Sequence, residues 1–212
     1  MKIGIIGAGH IGATLALLWA QSGHSIMITS RHPDSLDLLV KRMGKNSSRG
    51  DAQQTAEFGK AVLLAIPLGQ IAKIEEQIAP ALNGKTVLDA MNPFIDRDGR
   101  IAEDIIRRDI ASGRATQQRF PSARIVRAFS SIRYSDLQAQ AHRQPPLLAV
   151  PFASDDQRAK EIAAQLITSA GFYPFDIGSL DDSRPLDPGG TLFGRAFNAN
   201  EISWHLQLKK AA

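Results

Sequence analysis

Six residues near the start constrain this chain more than any others. Gly7-Ala8-Gly9-His10-Ile11-Gly12 sets three glycines at G-x-G-x-x-G spacing, directly after the apolar run Lys2-Ile3-Gly4-Ile5-Ile6 and ahead of a helical stripe of Ile11, Leu15, Leu18, Trp19 and Ser22. In a strand that turns into a helix through such a loop, each glycine has a mechanical task. The first permits a tight turn, the second lets backbone approach a bound group, and the third lets helix and strand pack closely. Amides at the helix start face outward at the positive end of the helix dipole, so a phosphate is the expected occupant. A plain glycine-rich turn is the alternative, and the strand–helix–strand context argues against it.

Short apolar runs alternate with amphipathic stretches through the first two thirds of the chain, the pattern of helices covering a mostly parallel sheet. Strands are expected at 2–7, 25–30, 61–66, 86–90, 124–130, 147–152 and 172–176, with a weak further candidate at 47–50. Helices fit at 10–22, 33–43, 68–79, 100–111 and 155–170. The fold class is therefore α/β, a Rossmann-type doubly wound sheet extended by C-terminal strands and a terminal helix. Residues 1–178 form the nucleotide-binding domain with an extension, and 179–212 form a loop and helix packing on it or on a dimer partner.

The tail changes character. Pro185, Pro188 and the Gly189-Gly190 pair are expected to bar any regular element across 183–190. Beyond them Leu192, Phe193, Ala196, Phe197, Asn200, Trp204 and Leu208 recur at helical spacing. Such a stripe needs cover from the sheet or from a second subunit, which makes a homodimer one expectation.

Composition narrows the class further. The 212 residues hold no cysteine, so disulfides, thiolate metal sites and a cysteine nucleophile are excluded. From Ile3 to Ser30 there is no Asp, Glu, Lys or Arg. Glycines and polar residues break that run, so no targeting or membrane segment is expected, and the location expected is cytoplasmic. Net charge is +4, and between Arg97 and Arg133 nine arginines face four acids. Without interleaved aromatics or a nucleic-acid module, that excess reads as a solvated face or as a rim attracting a small anionic substrate, with no nucleic-acid partner.

About 20 residues beyond the glycine motif, an acid would accept the ribose hydroxyls of NAD. Here the second strand ends in Ser30-Arg31-His32, and no acid appears before Asp34. Ser30 and Arg31 offer donors to a 2′-phosphate, which favours NADP(H); His32 is either a third donor or a loop histidine. Ala65-Ile66-Pro67 and Asn92-Pro93 follow the next strands, where ligands of open sheets sit, though Asn92 could equally be a turn device. With no H-E-x-x-H, G-x-S-x-G or carboxylate–histidine spacing, neither a catalytic residue nor a metal ligand is expected. Hydride passing between two aligned rings needs neither.

Gly7 to Gly12, Thr29-Ser30-Arg31, Ala65-Ile66-Pro67, Gly84-Lys85 through Pro93 and Arg124-Ile125-Val126-Arg127-Ala128-Phe129-Ser130 resemble the NADPH-dependent coenzyme F420 reductases. The resemblance continues through Phe172 to Gly178 and Ser183-Arg184, and the nucleotide domain is also similar to that of the STEAP metalloreductases. It implies an NADP(H)-dependent oxidoreductase that passes hydride to a flavin-like acceptor, with F420 or a flavin as second substrate. It also implies that Gly7, Gly9, His10, Ile11 and Gly12 hold the pyrophosphate end, Ser30 and Arg31 hold the 2′-phosphate, and Ser130, Ser131 and Ile132 lie beside the nicotinamide. Three departures fall where an acceptor would bind: an arginine-rich 94–122, a bulky Arg133-Tyr134 pair, and the Asp187-Pro188-Gly189-Gly190 break. The alternatives are a non-catalytic NADP(H)-binding sensor or partner protein, and a reductase of a small imine or keto acid, whose usual long helical domain has no room in this chain.

Overall fold

The computed structural model describes residues 1–211, with side chains through Gln207. Eight strands form one sheet: β1 (Lys2–Ile6), β2 (Ser25–Thr29), β3 (Ser47–Arg49), β4 (Ala61–Leu64), β5 (Thr86–Asp89), β6 (Arg124–Ala128), β7 (Ala149–Ala153) and β8 (Tyr173–Asp176). Their order is β3-β2-β1-β4-β5-β6-β7-β8, all pairs parallel except β6 with β7. The first six follow the order of dinucleotide-binding sheets, whose direction reverses between β1 and β4.

The central strands are buried on both faces, so their side chains divide by parity. Ile3 and Ile5 of β1, Leu63 of β4 and Val126 of β6 face one core, together with Leu15, Ala16 and Trp19 of α1 (His10–Gln21) and Leu166 of α9 (Gln157–Ser169). Val62, Leu64, Val87 and Ile125 face the other, beneath α3 (Ala52–Phe58) and α4 (Glu75–Leu82). The Trp19 indole donates to the Leu166 carbonyl at 2.8 Å and so ties α1 to α9.

The remaining helices are α2 (Asp37–Met43), α5 (Ile95–Asp98), α6 (Arg100–Arg107), α7 (Ser112–Arg119), α8 (Tyr134–Gln140) and α10 (Ala199–Ala211). The expected helix at 33–43 opens as a 3₁₀ turn over Pro33–Leu36, and that at 68–79 as one over Leu68–Lys73. The helix expected at 100–111 stops at Arg107, and α7 starts five residues later.

Two expectations for the tail are corrected. Asp181–Leu186 forms a 3₁₀ turn despite Pro185, because a short 3₁₀ run needs few amide donors. The stripe from Leu192 is not one helix. Residues 187–198 run as turns and loop, and α10 begins only at Ala199. Leu192 and Ile202 bury against Ala149, Phe197 packs at their edge, and Trp204 is 58% exposed, while Leu208's side chain lies outside the described residues. Among the described residues no helix is long and apolar enough to cross a membrane.

Candidate functional site

Beyond the carboxyl ends of β1, β2, β4, β5 and β6, two cavities of about 810 and 540 Å³ share Gly9, Ala65, Ile66 and Pro67 and form one crevice. The sheet reverses direction here, so adjacent loops part and leave the space. Each wall continues a strand: the Ala65 amide donates to the Ile6 carbonyl at 2.8 Å and the Ala90 amide to that of Leu64 at 3.0 Å.

The glycines behave unlike one another. Gly7 takes φ +110, and a methyl there would meet the Ala65 carbonyl oxygen at 2.4 Å; one on Gly12 would meet the Gly7 oxygen at 1.9 Å. One on Gly9 would meet nothing within 4 Å. Two positions are thus filled by the protein's own packing, and the open one lies at the junction of the cavities. Gly9 also caps α1 without a side-chain hydrogen bond, and no acid stands in the helix's first turn. The amides and dipole of α1 are therefore left for an anion.

The larger cavity is lined by Gly7, Ser30, Arg31 and His32, and by Arg49, Asp51, Gln70 and Lys73, none of which the sequence singled out. Ser30 Oγ accepts from the His32 amide at 3.2 Å, which closes the turn after β2. Arg49 enters from β3, held beside β2 by the pairing of Ile28 with Arg49. It bonds Asp34 at 3.3 Å and Asp37 at 3.1 Å. A three-residue strand carries too little periodicity to have marked it.

The smaller cavity holds His10, Ile11, Asn92, Ser130, Ser131 and Ile132, with Phe94, Arg97, Phe129, Arg133, Tyr134, Phe193 and Gly194. Two expected residues line neither cavity: Gly12 packs under the loop, and Pro93 is buried behind Asn92. After β6 the buried Phe129 takes φ +60, an uncommon left-handed turn for a bulky residue. Its ring meets Trp19 edge-on at 5.9 Å, and Ser130 to Ile132 line the crevice. Ser130 Oγ is buried with no hydrogen-bond partner among the described residues. Such a group costs stability unless something satisfies it.

A buried network underlies this end. Arg127, 0% exposed, donates to the Met91 carbonyl, to Asn92 Oδ1 at 2.7 Å and to Asp187 at 2.9 Å, and lies 3.3 Å from Asp89. Burial raises the Asp89 pKa above its ordinary value, although the Arg127 charge, the Met91 amide and the Thr116 hydroxyl oppose this. Asn92 Nδ2 donates to the Ser130 carbonyl at 2.8 Å, so both ends of its amide are engaged. Asp187, within the tail break, also accepts from the Ser112 amide at 3.0 Å. The Gly194 amide donates to the Ser131 carbonyl at 2.7 Å. The tail is thereby fastened to the crevice and supplies Phe193 to its wall.

The basic run dissolves on folding. Arg97, Arg107, Arg114, Arg119, Arg124 and Arg127 all pair with carboxylates. Only Arg97 and Arg133 of the nine line the smaller cavity, and no carboxylate lines it. Arg97 lies over the Phe94 ring at 4.8 Å, Phe94 meets Phe193 edge-on at 6.2 Å, and His10 stacks on Tyr134 at 4.1 Å. This end offers flat aromatic walls and positive charge.

Residues 2–93 match the sequence model of a family described as NADP oxidoreductase, coenzyme F420-dependent. The metalloreductase STEAP3 of Rattus norvegicus is 24% identical over 189 residues, 88% of this chain and 36% of the relative. A glycerol-3-phosphate dehydrogenase (NAD(P)+) of Lacticaseibacillus casei is 32% identical over 95 residues, 38% of this chain and 27% of the relative. The chain spans about a third or less of these two relatives. Among solved structures, a hypothetical protein of Sinorhizobium meliloti superposes with a TM-score of 0.80 at 26% identity, covering 93% of this chain and 95% of that one. A protein of Arthrobacter sp. FB24 assigned as an F420-dependent NADP-reductase gives 0.67 at 22% identity, covering 85% and 86%, a likeness of fold. These matches agree with the resemblance carried by the motifs, and the similarity to the coenzyme F420-dependent NADP oxidoreductase family model lies in residues 2–93.

Proposed function

We propose that this protein binds NADP(H) in the crevice and passes hydride between it and a flavin-like, anionic acceptor such as coenzyme F420. The observation that carries the reading is the pair of joined cavities, one with Ser30 and Arg31 and the other aromatic and free of carboxylates, meeting at the open face of Gly9. The residues present fit the cofactor. The α1 amides would hold its pyrophosphate, Ser30 and Arg31 its 2′-phosphate, and the unpartnered Ser130 hydroxyl would bond the nicotinamide end.

When bound, the nicotinamide supplies or accepts the hydride. The chain's own part is alignment and exclusion of water, since two rings held in contact need little further catalysis. Ile66, Pro67 and Ile132 make the wall apolar at the junction, and Asn92 is braced beneath it by Arg127. Arg133 stands at the mouth with no ion pair among the described residues, placed to attract an anion. His10 and Tyr134, stacked at 4.1 Å, line the same cavity and give it a flat aromatic wall.

Stopped-flow oxidation of NADPH bound to the protein tests this against F420, FMN, FAD, riboflavin and ferric chelates. Oxidation by F420 or FMN should be fastest and should slow with added salt, whereas the rate with uncharged riboflavin should barely change. Arg133→Ala should remove most of that salt dependence. Tight NADPH binding with no oxidation by any acceptor would contradict the proposal.

A further inference from the structure

Arg49 stands between two carboxylates and the larger cavity. Its guanidinium bonds Asp34 and Asp37 at 3.3 and 3.1 Å, and Arg49 lines the cavity while neither acid does. The Asp34 side chain is wholly exposed and that of Asp37 is 67% exposed. Ion pairs this exposed add little to stability, so holding the fold together does not account for the arrangement. What it controls is the charge beside Arg31. The 2′-phosphate that separates NADPH from NADH carries close to two negative charges at neutral pH, and a carboxylate within about 10 Å of it is repelled through the solvent.

We infer that Arg49 is a specificity-determining residue for the 2′-phosphate: it neutralises Asp34 and Asp37 at the rim and adds a second cation beside Arg31. The inference rests on the NADP(H) reading above and adds to it a residue on a different strand. The β2–β3 ladder supports it mechanically. Arg49 faces Ile28 across the pair and the Gly50 amide donates to the Ile28 carbonyl at 3.2 Å, so the base of the side chain is fixed relative to Ser30 and Arg31. The acids sit on the 3₁₀ turn and the first residue of α2, within reach of the guanidinium from the far side.

Equilibrium fluorescence titration with NADPH and with NADH tests the role, with thermal melts to confirm folding. Arg49→Ala should weaken NADPH about tenfold and leave NADH within about twofold, since only the phosphate meets the exposed carboxylates. Arg49→Lys should keep most of the NADPH affinity. The triple variant Arg49→Ala, Asp34→Asn, Asp37→Asn should recover part of the loss, because no carboxylates remain to be released while the second cation is still missing. Equal weakening of both nucleotides, unchanged NADPH affinity in Arg49→Ala, or no recovery in the triple variant would overturn the inference. An unaltered protein that binds neither nucleotide would instead refute the cofactor reading beneath it, before any variant is made.

Discussion

Gly9 and Gly12 stand three residues apart and are glycines for opposite reasons. At Gly12 the protein's own backbone fills the space a methyl would need; at Gly9 nothing does. Gly12→Ala should therefore destabilise the fold by about 1–3 kcal/mol or more, visible as a melting point lower by several degrees at roughly 2–4 °C per kcal/mol. Gly9→Ala should melt within about a degree of the unaltered protein, at the same 2–4 °C per kcal/mol scale, yet bind NADPH at least about tenfold more weakly, because its methyl stands where the pyrophosphate would lie. A Gly9→Ala protein that binds NADPH normally would show that the crevice floor is not the phosphate site. The motif and Ser30-Arg31 were legible because spacing along one short segment defines them. Arg49 was not, since its meaning comes from the side chains and empty space that the sheet brings beside it.

Asp98 ends α5, the short helix beside the smaller cavity. Its carboxylate accepts from the Gly69 amide at 2.9 Å, from the Phe94 amide at 3.1 Å and from Arg97 at 2.7 Å, joining the 3₁₀ turn after Pro67 to the loop carrying Phe94. Burial alone would raise its pKa, but the Arg97 hydrogen bonds, the two amides and the Arg97 charge outweigh it and hold the group below its ordinary 3.8. Because the folded value lies below the unfolded one, Asp98 contributes its full stability above about pH 3.8 and loses it as pH falls through the lowered folded value. Asp98→Asn should cost about 1.5–3 kcal/mol at neutral pH, and that deficit should shrink below pH 4. Urea unfolding of both proteins from pH 7 to pH 3 checks this; a deficit that stays constant with pH would contradict it. At this scale the long elements were readable from periodicity, whereas α3, α5, α7 and α8, of four to eight residues each, span too few turns to show one.

Across the whole molecule, the doubly wound, mostly parallel sheet was legible from alternating strands and helices, but the smaller cavity was not. Its walls come from the loops after β1, β4, β5 and β6 and from the tail at Phe193 and Gly194, which Arg127 ties in through an Asp187 that lies 60 residues further along. In the sequence Arg127 is one arginine in a basic run; in the fold it is the buried post to which the tail is fastened. Folding also redistributes charge, pairing most of that run and leaving Arg133, among the described residues, without an ion pair on the wall of the smaller cavity. The central claim, that the crevice is an NADP(H) site read through its 2′-phosphate, is tested most directly by calorimetric titration of the intact protein with NADPH and with NADH. Charge-assisted bonds of about 1.5–3 kcal/mol from Arg31 and Ser30 should make the NADPH dissociation constant at least about tenfold lower than that for NADH. Equal affinities, or no binding of either nucleotide, would contradict it.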